Sequence, residues 1–284
     1  MRNPGTHMGV CEDGSFAGSL SGGCIENAVV AEALAALKDN APRLVRFGAG
    51  SPFLDIKLPC GGALDVHFQP LSKGSFLSDC AAALGSRKPF TIALGDTGLA
   101  CREGWQAASF DKVNESFAFG HWPVPRLVIL GHGASVAALA SLAATSGYDV
   151  GVLSPDERVL EAVKSAGLST KRLSKTCDTH LLQSDPWTAF VFLFHDHDWE
   201  IALMKAALGS PHFYLGAMGS RRAHEARCAA LLGAGAAEAQ IAAIHAPLGL
   251  FHSSRDPGTL ALSALAQIIE RYQASDFEAA YAGG

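Results

Sequence analysis

The stretch 126–146 constrains the fold of this chain more than any other part of its sequence. A short apolar segment, 127–130, runs into Gly131-His132-Gly133, and a run of small residues follows over 134–146. A strand that passes through a glycine turn into a helix is the opening unit of a nucleotide-binding α/β fold. Further strands are expected at 149–153, 189–194 and 213–217, and further helices at 156–166, 200–208, 221–232 and 258–272. This alternation predicts a Rossmann-like, doubly wound, mainly parallel sheet over residues 125–284.

Residues 1–70 have a different pattern and predict a small α/β module with glycine turns. Apolar residues four apart, among them Ile25 and Val29, indicate a helix over 24–38. Alternating residues over 53–58 and 63–68 indicate two strands, which Cys60-Gly61-Gly62 is expected to join as a hairpin-like turn.

The intervening residues, 71–124, are interpreted as a connecting segment. Pro123 and Pro125 bracket the expected boundary with the following domain. The length of 284 residues also fits about two domains.

Composition excludes several classes of protein. The formal net charge of −5 argues against a protein that binds duplex nucleic acid, which would normally carry a basic surplus. No run of 18 apolar residues is present, so no membrane span is expected, and the amino terminus lacks the apolar core of a signal peptide. The seven cysteines, an odd number in a chain of this size, are interpreted as reduced thiols in a cytoplasm.

The glycine turn at 131–133 predicts a site for phosphate. Gly131 permits the tight turn, and Gly133 lets backbone amides approach an anion at the positive end of the following helix. However, Val136 occupies the position of the third glycine, and Ser154 stands where NAD-binding proteins usually place an acid. A phosphate-containing ligand is therefore favoured over a nicotinamide cofactor, and a turn that has lost its ligand remains the alternative.

Two cysteines lie beside pairs of glycines. Cys24 follows Gly22-Gly23 and is expected in the first turn of a helix, where unpaired amides and the helix dipole lower a thiol pKa. The resulting thiolate can bind a soft metal or attack an electrophile, and Glu26 can accept a proton or anchor a donor. A buried structural thiol is the competing interpretation of Cys24, but the similar setting of Cys60 favours a ligand role for both.

Two further motifs follow predicted strands, at the sheet edge where ligands bind in such folds. His195-Asp196-His197-Asp198 predicts a metal site or an acid–base pair, with helix capping as the alternative for one aspartate. Gly219-Ser220-Arg221 predicts a helix that begins at Ser220, with Arg221 placed to bind phosphate.

These motifs, in this order, resemble those of the xanthine dehydrogenase accessory family of XdhC/CoxI type. The resemblance rests on the segments 18–26, 58–62, 131–133, 195–198, 216–221 and 247–250. It implies an N-terminal α/β module followed by a Rossmann-like domain. It also implies that the chain begins within the family's opening segment, without the preceding strand, and that Thr259 and Gln267 replace acids usual in the last helix.

The resemblance further implies a non-enzymatic chaperone for the molybdenum cofactor (molybdopterin). Such a protein supports sulfuration of the cofactor and its insertion into a xanthine dehydrogenase-like molybdenum hydroxylase, with a cysteine desulfurase as sulfur source and a homodimer as a plausible assembly. We expect Cys24 and Cys60 to contact the metal and share a hollow with the glycine turns. The expected cofactor-binding residues are Cys24, Glu26, Cys60, Gly131, Gly133, His195, Asp196, Gly219, Ser220 and Arg221. An NAD(P)-dependent oxidoreductase and a cofactor-free scaffold for the hydroxylase are the alternatives.

Overall fold

The computed structural model describes residues 4–51, 58, 61–71, 74–95, 98–111, 113–114, 116–251 and 256–282. The chain divides into two compact units, Met1–Pro123 and Val124–Gly284. In the described parts of the chain, none of the helices is long and apolar enough to cross a membrane.

The first unit begins with a hairpin and a helix. Strands β1 (Met8–Val10) and β2 (Phe16–Gly18) pair in antiparallel fashion, and helix α1 (Glu26–Asp39) follows. The buried side chains of Ile25 and Val29 pack in one core with Phe47 and Phe68. The predicted amphipathic helix is therefore present, but it begins at Glu26 rather than Cys24.

The pairing of the next strands differs from the prediction. Strand β4 (Ala63–Phe68) pairs with β3 (Arg43–Gly48), a strand that the sequence analysis did not identify. The predicted strand 53–58 falls largely outside the described residues. The hairpin expected between 53–58 and 63–68 therefore lies outside the described residues and stays a prediction, whereas the partner that the structure does describe for β4 was not expected.

Residues 71–124 contain structure of their own. Helix α2 (Phe76–Ser86) precedes an antiparallel sheet of strand order β6-β5-β8-β7. Its strands are β5 (Phe90–Gly95), β6 (Gly98–Glu103), β7 (Ser109–Asp111) and β8 (Ser116–His121).

The second unit is built on a five-stranded parallel sheet of order β11-β10-β9-β12-β13, which confirms the predicted Rossmann-like fold class. Its strands are β9 (Arg126–Gly131), β10 (Asp149–Ser154), β11 (Ser169–Arg172), β12 (Thr188–Leu193) and β13 (Tyr214–Ala217). Its helices are α3 (Ala134–Thr145), α4 (Glu157–Ser165), α5 (Ile201–Leu208), α6 (Arg221–Gly233), α7 (Glu238–Ala242), α8 (Pro257–Ala274) and α9 (Phe277–Ala282).

Both faces of this sheet are buried. Along β9, Leu127 and Ile129 join a core with residues of α3, α4 and α8, whereas Val128 and Leu130 join a second core with residues of α5 and α6. Successive side chains of a strand point to opposite faces, so a continuous apolar run is what a central strand covered on both sides requires.

The strand order reverses next to β9. The chain runs from β9 outward through β10 to β11, and β12 then returns to the other side of β9. Ligands of such sheets bind where the order reverses, outside the carboxyl ends of the strands. Here that point lies between the ends of β9 and β12, at Gly131 and Leu193.

Candidate functional site

The Gly-Gly-Cys turn of the first unit is shaped by the carboxylate of Glu26. Glu26 exposes 7% of its surface, and its two oxygens accept five hydrogen bonds, at 2.6 to 3.2 Å. The donors are the hydroxyls of Ser19 and Ser21 and the backbone amides of Ser21, Gly23 and Ile25. Glu26 therefore acts as an anchor of the turn.

The protonation state of Glu26 follows from these bonds. Burial by itself raises the pKa of this carboxyl, but the hydrogen bonds from Ser21 and Ser19 outweigh it and hold the pKa far below its usual range. Of the two roles expected for Glu26, the five hydrogen bonds support the anchoring of donors.

The amides around Cys24 are not unpaired, contrary to the expectation. The Cys24 amide donates to the Ser21 hydroxyl at 3.0 Å, the Gly22 amide donates to the Ser19 hydroxyl at 3.0 Å, and Gly23 is paired with Glu26. The amides from Gly22 to Ile25 are therefore engaged within the turn itself. What the turn does present is the Cys24 side chain, which is an exposed thiol rather than the buried structural thiol of the competing interpretation.

The second cysteine turn is described only in part. Cys60 lies outside the described residues, so its expected proximity to Cys24 stays a prediction. Among the described residues, Gly48 lies against the backbone of Gly62: a Cβ at Gly48 would clash with the Gly62 carbonyl oxygen, and the φ of Gly48 is +86°. This close approach requires glycine at position 48 and brings the end of β3 against Gly62.

In the second unit, Gly131 is required by the packing of β9 against β12 rather than by the tight turn that the sequence predicts. A Cβ at Gly131 would lie 2.6 Å from the carbonyl oxygen of Leu193 on β12, so only glycine allows these strands to pair so closely. Gly133 has a φ of +84° and is the N-cap of α3, with no side-chain cap. The amides of Ala134 and Ser135 begin α3 and have no acceptor in a preceding helical turn, whereas the Val136 amide donates to the Gly133 carbonyl oxygen at 3.3 Å.

Two residues explain why this turn does not have the usual nicotinamide-binding form. Val136 is fully buried in the core on the α3 side of the sheet, where a glycine would permit closer packing of helix and strand. Ser154 is also fully buried, and its hydroxyl accepts a hydrogen bond from the Asp156 amide at 3.0 Å. Ser154 is therefore engaged in shaping the start of α4.

His195 and Asp196 lie exposed beyond the end of β12. The His195 ring lies 5.5 Å, centroid to centroid, from the ring of His132, which belongs to the Gly131–Gly133 turn. Asp196 accepts a hydrogen bond from the Asp198 amide at 2.9 Å and so caps the short 3-10 helix His197–Trp199, as the alternative interpretation required. Among the side chains that the structure describes, no group of three or more His, Cys, Asp or Glu residues could hold a metal ion.

Gly219, Ser220 and Arg221 follow β13. Gly219 has a φ of +135°, Ser220 is the N-cap of α6 and accepts a hydrogen bond from the Ala223 amide at 3.2 Å, and Arg221 is exposed in the first turn. The helix start was correctly predicted at Ser220. A cleft of about 260 Å³ lies between the ends of β12 and β13, lined by Phe194, His195, Met218, Gly219 and Ala223.

A buried ion pair supports this cleft, and the sequence analysis missed it. Arg227 of α6 and Glu200, which precedes α5, are both fully buried; Nε and Nη2 of Arg227 donate to the Glu200 carboxylate at 3.0 and 3.2 Å. Arg227 Nη2 also donates to the carbonyl oxygen of Met218 at 2.8 Å. The ion pair therefore holds the backbone of Met218, directly before Gly219. In the sequence, the only signal of this pair was the charged Arg227 among the apolar residues of α6.

The loop 246–251 is tied to α8. The Gln267 side-chain oxygen accepts hydrogen bonds from the Tyr214 hydroxyl at 2.6 Å and from the Gly249 amide at 2.9 Å. Thr259 donates its amide to the N-cap Asp256 at 2.8 Å. Gln267 thus serves as an acceptor, a role that an acidic side chain at this position can also fill.

Comparisons with known proteins give the family. Residues 127–268 match the family model of the XdhC Rossmann domain, and residues 1–48 match that of the XdhC and CoxI family. The chain belongs to the XdhC and CoxI family. The two matched segments are the ones that carry the glycine turn at 131–133 and the Gly-Gly-Cys turn at 22–24.

Two proteins of Escherichia coli K12 are similar to this chain. The chain is 35% identical over 271 residues to the molybdenum cofactor insertion chaperone PaoD, covering 93% of this chain and 77% of PaoD. It is 27% identical over 279 residues to the uncharacterized protein YqeB, of which it covers only 40%. Among solved structures, a Bacillus halodurans protein named as a xanthine dehydrogenase (BH1974) shares the fold, with a TM-score of 0.76, 20% identity, and coverage of 97% of this chain and 88% of that one.

Proposed function

We propose that this XdhC/CoxI family protein is an accessory, non-catalytic chaperone that binds the molybdenum cofactor and inserts it into a molybdenum hydroxylase. The observation that carries the proposal is the 35% identity to the insertion chaperone PaoD, which extends over 93% of the chain. At that level and extent, relatives share the fold and its main sites, so the role of PaoD is the best guide to the role of this chain.

The second unit offers features that suit the phosphate of such a cargo. The start of α3 has no side-chain cap, and the exposed Arg221 follows two residues after Gly219, which lines the cleft together with His195. Backbone amides at a helix start and an arginine side chain are the groups that bind phosphate in many proteins. We therefore propose that Gly131, Gly133, Gly219, Ser220 and Arg221 bind the phosphate end of the cofactor, with His195 and Asp196 at the edge of this site.

The exposed Cys24 thiol supports a contact with the metal end. Molybdenum in the cofactor is bound by thiolates and accepts soft ligands, and Cys24 stands on a turn that Glu26 holds in one shape. We propose Cys24 and Cys60 as the metal contacts, with Glu26 as the residue that positions Cys24. We also propose that the recipient is xanthine dehydrogenase-like, that a cysteine desulfurase supplies sulfur, and that the chaperone acts as a homodimer.

The test is cofactor loading in a host that makes the cofactor. The purified protein is expected to contain molybdenum and pterin in near-equal amounts, measured by elemental analysis and by fluorescence of the oxidised pterin. The variant Cys24→Ala is expected to lose most of its molybdenum, while Cys11→Ala, which removes another exposed thiol of the same unit, retains it. Arg221→Ala is expected to lower pterin content at least about tenfold, against an unchanged Arg158→Ala control.

Two results would count against the proposal. A wild-type protein that carries no pterin yet forms a complex with the hydroxylase would favour a scaffold without cargo. Equal molybdenum content in the Cys24→Ala and Cys11→Ala variants would remove Cys24 from the site.

A further inference from the structure

Two histidines of the first unit point their ring nitrogens at each other. Nε2 of His7, which precedes β1, lies 3.0 Å from Nε2 of His121, the last residue of β8. The ring planes are inclined by 40°, with centroids 4.9 Å apart. Neither histidine is among the residues proposed above to bind the cofactor. A site at this pair would therefore be separate from the proposed function.

Aromatic contacts hold the two rings in place. The His121 ring stacks on Phe90, with centroids 4.9 Å apart and planes 21° apart, and the His7 ring packs edge-on against Phe119 at 6.4 Å. The His7 side chain nevertheless remains exposed on its other side. The pair is therefore ordered by its own surroundings and open to solvent.

The surroundings of both imidazoles favour their neutral form. Burial, together with the neighbouring His7, lowers the pKa of His121 to about 4, and burial also lowers the pKa of His7. A neutral imidazole has one nitrogen with a free lone pair, and such nitrogens are common ligands of transition metals. At 3.0 Å the two nitrogens share a hydrogen bond, so one Nε2 carries a proton; when that proton is displaced to Nδ1 by a metal ion, both Nε2 lone pairs face the same small volume.

The distance between the two Nε2 atoms determines which metal ions have a suitable coordination angle at this site. A metal bound at about 2.0–2.1 Å from each nitrogen, 3.0 Å apart, would have an N–metal–N angle of about 94°. This is close to the right angle of tetragonal Cu²⁺ and Ni²⁺ sites and well below the tetrahedral angle that Zn²⁺ prefers.

We propose that His7 and His121 form a two-imidazole site for a divalent ion of tetragonal preference, Ni²⁺ or Cu²⁺. Water fills the remaining positions, since the described residues place no third His, Cys, Asp or Glu within the cluster. The site joins the segment before β1 to the end of β8, so a bound ion stabilises the first unit.

The test is titration of the full chain with Ni²⁺ after its thiols have been alkylated, because the exposed cysteines compete for soft metals. One Ni²⁺ per chain is expected by calorimetry, together with a rise in Tm. His7→Gln is the main variant because the exposed His7 is replaced without disturbing the stack on Phe90. It is expected to weaken Ni²⁺ binding at least about tenfold and to abolish the rise in Tm, whereas His180→Gln, at another exposed histidine, leaves both unchanged.

Cu²⁺ gives an independent readout. The electron paramagnetic resonance spectrum of the alkylated protein with one equivalent of Cu²⁺ is expected to be axial, with hyperfine structure from two nitrogens that is lost in His121→Gln. Unchanged Ni²⁺ affinity in His7→Gln would overturn the proposal and leave the pair as a hydrogen bond between imidazoles. A Cu²⁺ spectrum identical in wild type and His7→Gln would overturn it as well.

Discussion

Glu26 shows how a single side chain sets the shape of a functional turn. Its carboxylate accepts five hydrogen bonds from the segment that precedes α1, and that segment contains Cys24. Because the amides around Cys24 are satisfied internally, the turn keeps its form without a ligand, and the thiol is held outward at low entropic cost.

Replacement of Glu26 by alanine is expected to destabilise the first unit by about 2 kcal/mol, because several buried donors lose their acceptor. Asn27→Ala, at the next and exposed position, is expected to change stability by less than about 0.5 kcal/mol. Urea unfolding of both variants measures the difference. Equal midpoints for the two would contradict the role given to Glu26.

The same carboxylate predicts a pH dependence. The pKa of Glu26 in the folded protein lies below its ordinary value of 4.5, so its contribution to stability is complete above about pH 4.5 and is lost as the pH falls below it. Wild type is therefore expected to lose stability on acidification over this range more steeply than Glu26→Ala, as measured by Tm against pH.

At the scale of elements, the contact between β9 and β12 positions the glycine turn of the second unit. Gly131 and Leu193 are paired across these strands, and the backbone of Leu193 occupies the space that a side chain at 131 would need. On the neighbouring strand β10, Gly151 has open space where its Cβ would stand and no positive φ. Packing therefore requires glycine at position 131 but not at position 151, so Gly151 is a suitable control for substitutions of Gly131.

Gly131→Ala is expected to cost about 1–3 kcal/mol, because the new methyl group meets backbone that cannot rotate away. The same variant is expected to reduce pterin content, since β9 and the turn that follows it must shift. Gly151→Ala is expected to leave both stability and pterin content close to wild type. Chemical unfolding and pterin analysis of the two proteins provide the comparison, and similar losses in both would contradict the packing argument.

For the whole molecule, the division into two units is the main architectural fact. The parallel sheet, its two buried cores and the Glu200–Arg227 ion pair all lie within Val124–Gly284. The first unit has a core of its own, which includes Phe47 and Phe68.

The fragment 124–284 is therefore expected to fold by itself, with a cooperative thermal transition and a helical circular dichroism spectrum. Arg227→Met in this fragment is expected to lower its stability by about 3–5 kcal/mol, because Glu200 would remain buried without a partner. A Glu200→Leu/Arg227→Met double variant is expected to recover most of that loss. An unfolded fragment would show that the second unit needs the first.

The sequence by itself determined the parallel architecture of the second unit and the places where ligand-binding turns could occur. Apolar runs, glycine turns and helix caps act over a few residues, so the alternation of strands and helices and the start of α6 at Ser220 were readable from the chain alone.

Only the tertiary structure decided which distant groups meet. The pairing of β3 with β4, the Glu200–Arg227 ion pair and the contact of His7 with His121 join residues that are 15 to 114 positions apart. Even over shorter spans, the role of Glu26 depended on how the loop before α1 folds back onto it. Such contacts form because burial and pairing lower the free energy of the folded chain. The pattern of apolar and polar residues along the sequence therefore does not predict them.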